Sequence, residues 1–273
     1  INGAQRWVRI GSFSFQSSEF LKLALPIFLA NFLYDKKLPI QPKEVLTSLI
    51  VIMISFFLVA RQPDLGTALI ILLAGLFVLF LSGLSRSFMG GSLALLIISS
   101  PFVWNVLLQP FQRQRIATLF NPEADPFGAG WNIAQSKIAI GSGGLFGKGF
   151  GEGSQTQLNF LPETKTDFIF SVIGEEFGFL GILLLLSIYF FILMRCFYLA
   201  LSARDRFCRL VIGGLSLTFA ANLIINLCMV VGLLPVVGMP LPFVSKGGSS
   251  LVSLFFSFGI ITSMGTHKKF LPQ

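Results

Sequence analysis

Residues 168–194 read FIFSVIGEEFGFLGILLLLSIYFFILM, a run whose only charges are the adjacent carboxylates Glu175 and Glu176. A hydrocarbon core about 30 Å thick is crossed by about 20 mainly apolar helical residues, so this run spells a transmembrane helix. Working outward, six further runs qualify, at 18–33, 45–61, 67–83, 88–108, 209–233 and 249–265, helices interrupted by Pro or Gly included. The first of these is the weakest, because it carries Glu19, Lys22 and Pro26. Composition agrees: 54% of residues are hydrophobic and 12% charged, about half the charged share of a soluble chain, and mean hydropathy is +0.81. An ordinary water-soluble fold and a disordered chain are both excluded. The expected fold class is an all-α polytopic membrane protein with seven visible spans and one long polar loop, 109–167.

The net charge of +8 lacks the dense basic stripe of a nucleic-acid binder, so it points to cytoplasmic loops and anionic headgroups, with no nucleic acid among the partners. Lys36, Lys37, Lys43, Arg86, Arg195, Arg204, Arg206, Arg209, Lys268 and Lys269 fall on one side of the spans, against Arg6, Arg9, Arg61 and Lys246 on the other. The richer side is expected in the cytoplasm together with the C-terminus, which leaves 109–167 extracytoplasmic. Ile1 then begins outside with no signal-peptide pattern, and the expectation is that an odd number of helices precedes it. Cys196, Cys208 and Cys228 are odd in number and lack CxxC spacing, so no structural disulfide or zinc site is expected. His267, beside Lys268 and Lys269, reads as part of a solvated tail.

Nine of the twelve acidic residues fall in the outer half or in 109–167. Ionisable groups near apolar segments normally face a polar cavity. Glu19 and Lys22, spaced i, i+3, share one helical face and can pair. Asp64, between the breakers Pro63 and Gly66, either caps the helix that follows or belongs to a broken segment whose N–H groups bind an anion such as pyrophosphate. Asp167, at the threshold of the 168–194 run, either caps that helix or acts as a general base at the membrane surface. Glu175 and Glu176 lie about 10 Å deeper and point about 100° apart, so one of them orients loop backbone or a basic side chain. The glycine-rich stretch 141–153 fails as a P-loop, since Ser142 stands where glycine is needed and Gly149 follows Lys148, and it has no GxGxxG register. It reads as a re-entrant or surface loop.

Several runs then resemble one family in that family's order. They are Gly3-Ala4-Gln5-Arg6-Trp7, Ser18-Glu19 with Lys22, Gln62-Pro63-Asp64-Leu65-Gly66-Thr67, Arg113-Gln114-Arg115, Asn121-Pro122-Glu123, and Gln135-Ser136-Lys137. Phe160-Leu161-Pro162-Glu163, Thr166-Asp167-Phe168, Gly174-Glu175-Glu176 and Pro235-Val236-Val237-Gly238-Met239-Pro240 follow. Together they resemble the SEDS family (shape, elongation, division and sporulation) of bacterial membrane proteins, its elongation branch more than its division branch. The resemblance implies a fold of about ten helices, about three of them before Ile1, in the bacterial cytoplasmic (inner) membrane. It also implies a peptidoglycan glycosyltransferase that polymerises lipid II into glycan and releases undecaprenyl pyrophosphate.

By that resemblance Asp167 is the catalytic base toward the acceptor hydroxyl. Arg6, Lys22, Arg113, Arg115 and Lys137 are candidates for holding pyrophosphate, with a divalent cation, magnesium or manganese, as a possible helper. Glu19, Asp64, Glu163, Glu175 and Ser245 match supporting positions. Implied partners are lipid II, undecaprenyl-linked glycan, a class B penicillin-binding transpeptidase and other membrane proteins of the elongation complex. Two departures stand out: Ser17 where the family has proline, and Lys246 where it has an aromatic residue. The competing functions are a lipid II flippase or transporter, which would spread charge through the membrane depth, and a non-catalytic scaffold.

Overall fold

The computed structural model describes residues 7–10, 13–62, 64–84, 110–121, 128–158, 160 and 164–266. Two strands, β1 (Trp7–Ile10) and β2 (Phe13–Gln16), pair antiparallel with Trp7 opposite Gln16 and Ile10 opposite Phe13. The other regular elements among the described residues are helices: α1 (Ser17–Leu33), α2 (Pro42–Ala60), α3 (Leu65–Leu81), α4 (Pro110–Phe120), α5 (Ala129–Ser142), α6 (Ser154–Gln157), α7 (Ile169–Ser202), α8 (Arg206–Val230) and α9 (Gly248–Thr266). Six of the expected spans fall on α1, α2, α3, α7, α8 and α9, while 88–108 lies outside the described residues. Helices α2, α7, α8 and α9 are long and apolar enough to cross a membrane, and α3 is a shorter apolar helix.

Two differences from expectation have physical causes. The hairpin β1–β2 lies ahead of the first expected span, on two four-residue strands too short for the hydropathy of a membrane helix to register. The stretch 109–167 is folded in part: its glycines punctuate helices, with Gly128 before α5, Gly143 after it and Gly153 before α6.

The chain gathers into two compact units. The first comprises residues 1–84, 189–221 and 247–273. Its core holds Leu29, Leu33, Ile52, Ile70, Ile71, Leu79, Leu210 and Ile212, all fully buried. Helices α2 and α3 approach closely because Gly75 leaves no room for a side chain against Ile52, a small-residue contact of the kind that membrane helices use. One side chain gathers backbone carbonyls at and just past the C-terminal ends of α1 and α3. The Arg206 guanidinium donates to Tyr34 O, Lys36 O and Ser82 O. Along α2, Leu46, Ile50, Ile54 and Leu58 point outward, which suits lipid and not water.

The second unit comprises residues 85–188 and 222–246, with Phe168, Met229, Met239 and Leu241 fully buried. Buried Ser136 ties three of its elements together, donating to Val230 O at 2.6 Å and pairing with Ser171 Oγ at 2.7 Å. Helix α7 starts in this unit. It is 34 residues long and carries a break at Gly178, where φ is 65° and ψ is −162°.

Candidate functional site

Asp167 sits on the turn that leads into α7, and the turn is held by its backbone. Three successive carbonyls are each taken by a different donor: Lys165 O by Lys246 N at 2.9 Å, Thr166 O by Ser245 Oγ, and Asp167 O by Asn226 Nδ2 at 3.0 Å. Ser245 Oγ also accepts from Leu241 N at 2.7 Å, and Asn226 Nδ2 also reaches Met239 O. Asn226 on α8 and the segment 231–246 therefore hold the turn through its backbone. That carboxylate is half-buried and lies against Gly238, where a Cβ would come within 3.5 Å of Oδ2. Gly238 has φ +72°, a left-handed conformation that suits glycine, so the loop can turn beside the carboxylate without strain.

The same segment collects two candidate cations. The Arg115 guanidinium donates to Val236 O at 2.9 Å. The Lys137 side chain crosses Gly232, with Nζ 2.9 Å from the place a Cβ would take there. Arg113 lies half-buried on α4. Lys246 keeps its side chain exposed while its backbone N–H secures the Asp167 turn, so replacing an aromatic residue here leaves that contact in place. Arg6 and Glu163 lie outside the described residues.

Glu175 is fully buried and is the carboxylate that organises the glycine-rich loop. It pairs with Lys148 Nζ at 2.7 Å and accepts from Gln155 N at 3.1 Å, Ser154 Oγ at 3.1 Å and Thr156 Oγ1 at 3.3 Å. Around it the helix break is bridged by backbone. In an unbroken helix Phe179 N–H and Leu180 N–H would bond Glu175 O and Glu176 O. Here they donate to Gly144 O and Leu145 O, while Lys148 N and Gly149 N donate to Glu175 O and Glu176 O. Every group freed by the break finds a partner in the loop, as a low-dielectric setting demands. Backbone approaches this closely only at positions without a Cβ: one on Gly147 would strike Glu176 O, and one on Gly178 would strike Leu145 and the Gly147 nitrogen.

In the first unit, Glu19 pairs with Lys22 at 2.7 Å and accepts from Ser253 Oγ at 3.1 Å. Asp64 is the N-cap of α3, its Oδ1 taking Thr67 N at 3.1 Å and its Oδ2 taking Thr67 Oγ1 and Gln16 Nε2 at 2.9 Å each. With both oxygens occupied and one first-turn N–H already met, the capping alternative describes Asp64 here, and this helix start offers little to an added anion.

Asn226, Lys148, Gln16 and Ser253 were not singled out from sequence. Asn226 carried a usable signal, an amide in an otherwise apolar span, where unsatisfied polar groups are costly. Lys148 and Gln16 act through contacts distant in sequence and gave none. Among the described residues no three His, Cys, Asp or Glu side chains gather as a metal ion would need. Glu123, Asp125 and Glu163 lie outside the described residues, and no step below runs through a cation.

Residues 1–270 match the family described as cell cycle protein, FtsW/RodA/SpoVE. The chain is 49% identical over 271 residues to the peptidoglycan glycosyltransferase MrdB of Escherichia coli K12, covering 99% of this chain and 73% of that one. A solved structure described as the structural coordination of polymerization and crosslinking by a peptidoglycan synthase complex superposes with a TM-score of 0.82 at 31% identity, over 97% of this chain and 74% of that one. The crystal structure of the rod shape determining protein RodA of Thermus thermophilus matches with a TM-score of 0.67 at 29% identity, over 100% of this chain and 72% of that one. A match along nearly the whole chain, running through the turn that mounts Asp167 and the segment that holds it, means that this protein belongs to the FtsW/RodA/SpoVE, or SEDS, family of membrane-embedded cell cycle proteins.

Proposed function

We propose that this multi-pass membrane protein is a peptidoglycan glycosyltransferase that polymerises lipid II during cell elongation. The 4-hydroxyl oxygen of the acceptor sugar forms a bond to the anomeric carbon of the lipid-linked donor, and the bond from that carbon to the pyrophosphate oxygen breaks. The Asp167 carboxylate takes the hydroxyl proton as that oxygen attacks, and undecaprenyl pyrophosphate leaves. Arg115 and Lys137, which contact the 231–246 segment at Val236 and Gly232, are the candidates for the positive charge that meets the departing pyrophosphate.

One observation carries the assignment of the base: the Asp167 turn is secured through three consecutive backbone carbonyls, and this leaves its half-buried carboxylate mounted against Gly238. Such a mount supplies the pre-organisation that proton transfer requires. The reaction is placed at the outer face of the bacterial cytoplasmic membrane, with 109–167 outside and the C-terminus in the cytoplasm, as the lysine and arginine distribution supports. The working partner is a class B penicillin-binding transpeptidase, a reading supported by the likeness to a synthase complex that couples polymerization to crosslinking. The test is glycan formation from lipid II by the purified protein and its Asp167→Asn variant. Equal product from both removes Asp167 from the reaction.

A further inference from the structure

We infer that the tip of the glycine-rich loop, residues 144–151, is a lipid anchor that seats in the bilayer interface through Leu145, Phe146 and Phe150. These side chains are 64%, 79% and 84% exposed, although their loop is bonded by its backbone to α7. Four backbone hydrogen bonds lock this loop onto the break in α7, so the exposure belongs to a fixed display and not to a slack turn. Its one lysine, Lys148, is paired with Glu175 Oε1 at 2.7 Å, so its charge is met from within the protein.

Depth along α7 identifies the occupant. From the break at Gly178 to Arg195 the helix carries no charged residue, and that stretch rises about 26 Å, close to the thickness of a hydrocarbon core. Glu175 and Glu176 lie just beyond one end and Arg195 marks the other, so the break falls at the core boundary. The loop bonded to the break shares that level. Its apolar surface also continues the outward face of the span: Phe150 stacks 6.1 Å from Phe177, and Phe179, Leu180, Leu183 and Leu184 follow along the exposed side of α7. A surface at the boundary of the core, continuous with an apolar span and tipped with phenylalanine, is matched by the acyl and headgroup region of lipid. The loop thereby holds the break at a set height in the bilayer. This inference rests on the membrane span of α7 and is independent of the proposed reaction.

The experiment uses the whole protein in lipid nanodiscs, with Cys196, Cys208 and Cys228 replaced by alanine and an environment-sensitive fluorophore on Phe150→Cys or, separately, Leu145→Cys. Glu152→Cys serves as the aqueous reference, and thermal melting checks folding. Emission from 145 and 150 is expected to be blue-shifted, quenched several-fold more by lipids bearing a nitroxide near the headgroup than by lipids bearing it near the chain end, and shielded from aqueous iodide relative to 152. Emission and iodide quenching like those at 152 would overturn the inference. So would shielding from both iodide and lipid nitroxide, which would mean that protein covers the tip.

Discussion

Two groups of acidic side chains in this molecule are held in opposite ways. In the first unit Asp64 and Glu19 spend their carboxylate oxygens on Thr67, Gln16, Lys22 and Ser253. In the second, the Asp167 turn is held by its carbonyls, through Asn226, Ser245 and Lys246. A carboxylate engaged by local donors makes a joint, whereas the Asp167 turn is fixed through its backbone, so a change at its carboxylate leaves those three ties in place. Glu175, with its lysine, hydroxyl and amide partners, stands with the joints.

The contrast is sharpest in matched amide substitutions. Asp167→Asn keeps shape and polarity but cannot take a proton, so polymerisation from lipid II is expected to fall by roughly 10² to 10⁴ while the melting temperature holds. Turnover near wild type would erase the distinction. Glu19→Gln strands the Lys22 cation in a nearly buried site and is expected to cost about 3 kcal/mol or more of stability, read as a lowered melting temperature in detergent. Activity per folded molecule should survive this change.

Asn226→Ala tests the mount itself. It leaves the carbonyls of Asp167 and Met239 without that donor, a loss of about 1–3 kcal/mol, and kcat should fall more than KM rises because the base is misplaced rather than removed. An unchanged kcat would show that the other two ties suffice. The smallest effect is expected at Asp64→Asn, because asparagine and aspartate rank alike as N-caps. Stability should shift by less than about 1 kcal/mol, whereas Asp64→Ala should cost about that much or more. A collapse of activity in Asp64→Asn with folding intact would move Asp64 to the reacting side of the comparison.

Hydropathy alone made the spans legible, because lipid-facing and buried helix faces are both apolar and the signal extends over whole helices. It could not reveal the break in α7, since Gly174, Gly178 and Gly181 look equally tolerable in such a run and only the docking of Gly144–Gly149 decides which one bends. Sequence shows the loop as a failed nucleotide motif and as a re-entrant or surface loop, but not its docking on the break, because that docking is made by backbone groups that leave no side-chain signature. Asp167 was legible as a boundary carboxylate, but the choice between cap and base was not, since that choice depends on what holds the turn. Asn226 lies 59 positions from Asp167 in the chain, and sequence gives no measure of such a contact.

The Arg206 clasp bears on how the chain is made. Its guanidinium closes the carbonyl ends of α1 and α3, and Ser82 precedes it by 124 residues. At a synthesis rate of roughly 5–20 residues per second, the Ser82 carbonyl waits on the order of 6–25 s for its donor, and the α1 end waits longer. During that interval the first helices are inserted yet unfinished at one end, and water, headgroups or an insertion factor must meet the open carbonyls. This tie within the first unit thus forms well after the helices it joins are made, through a residue whose arrival also brings in α8, and α9 follows later still.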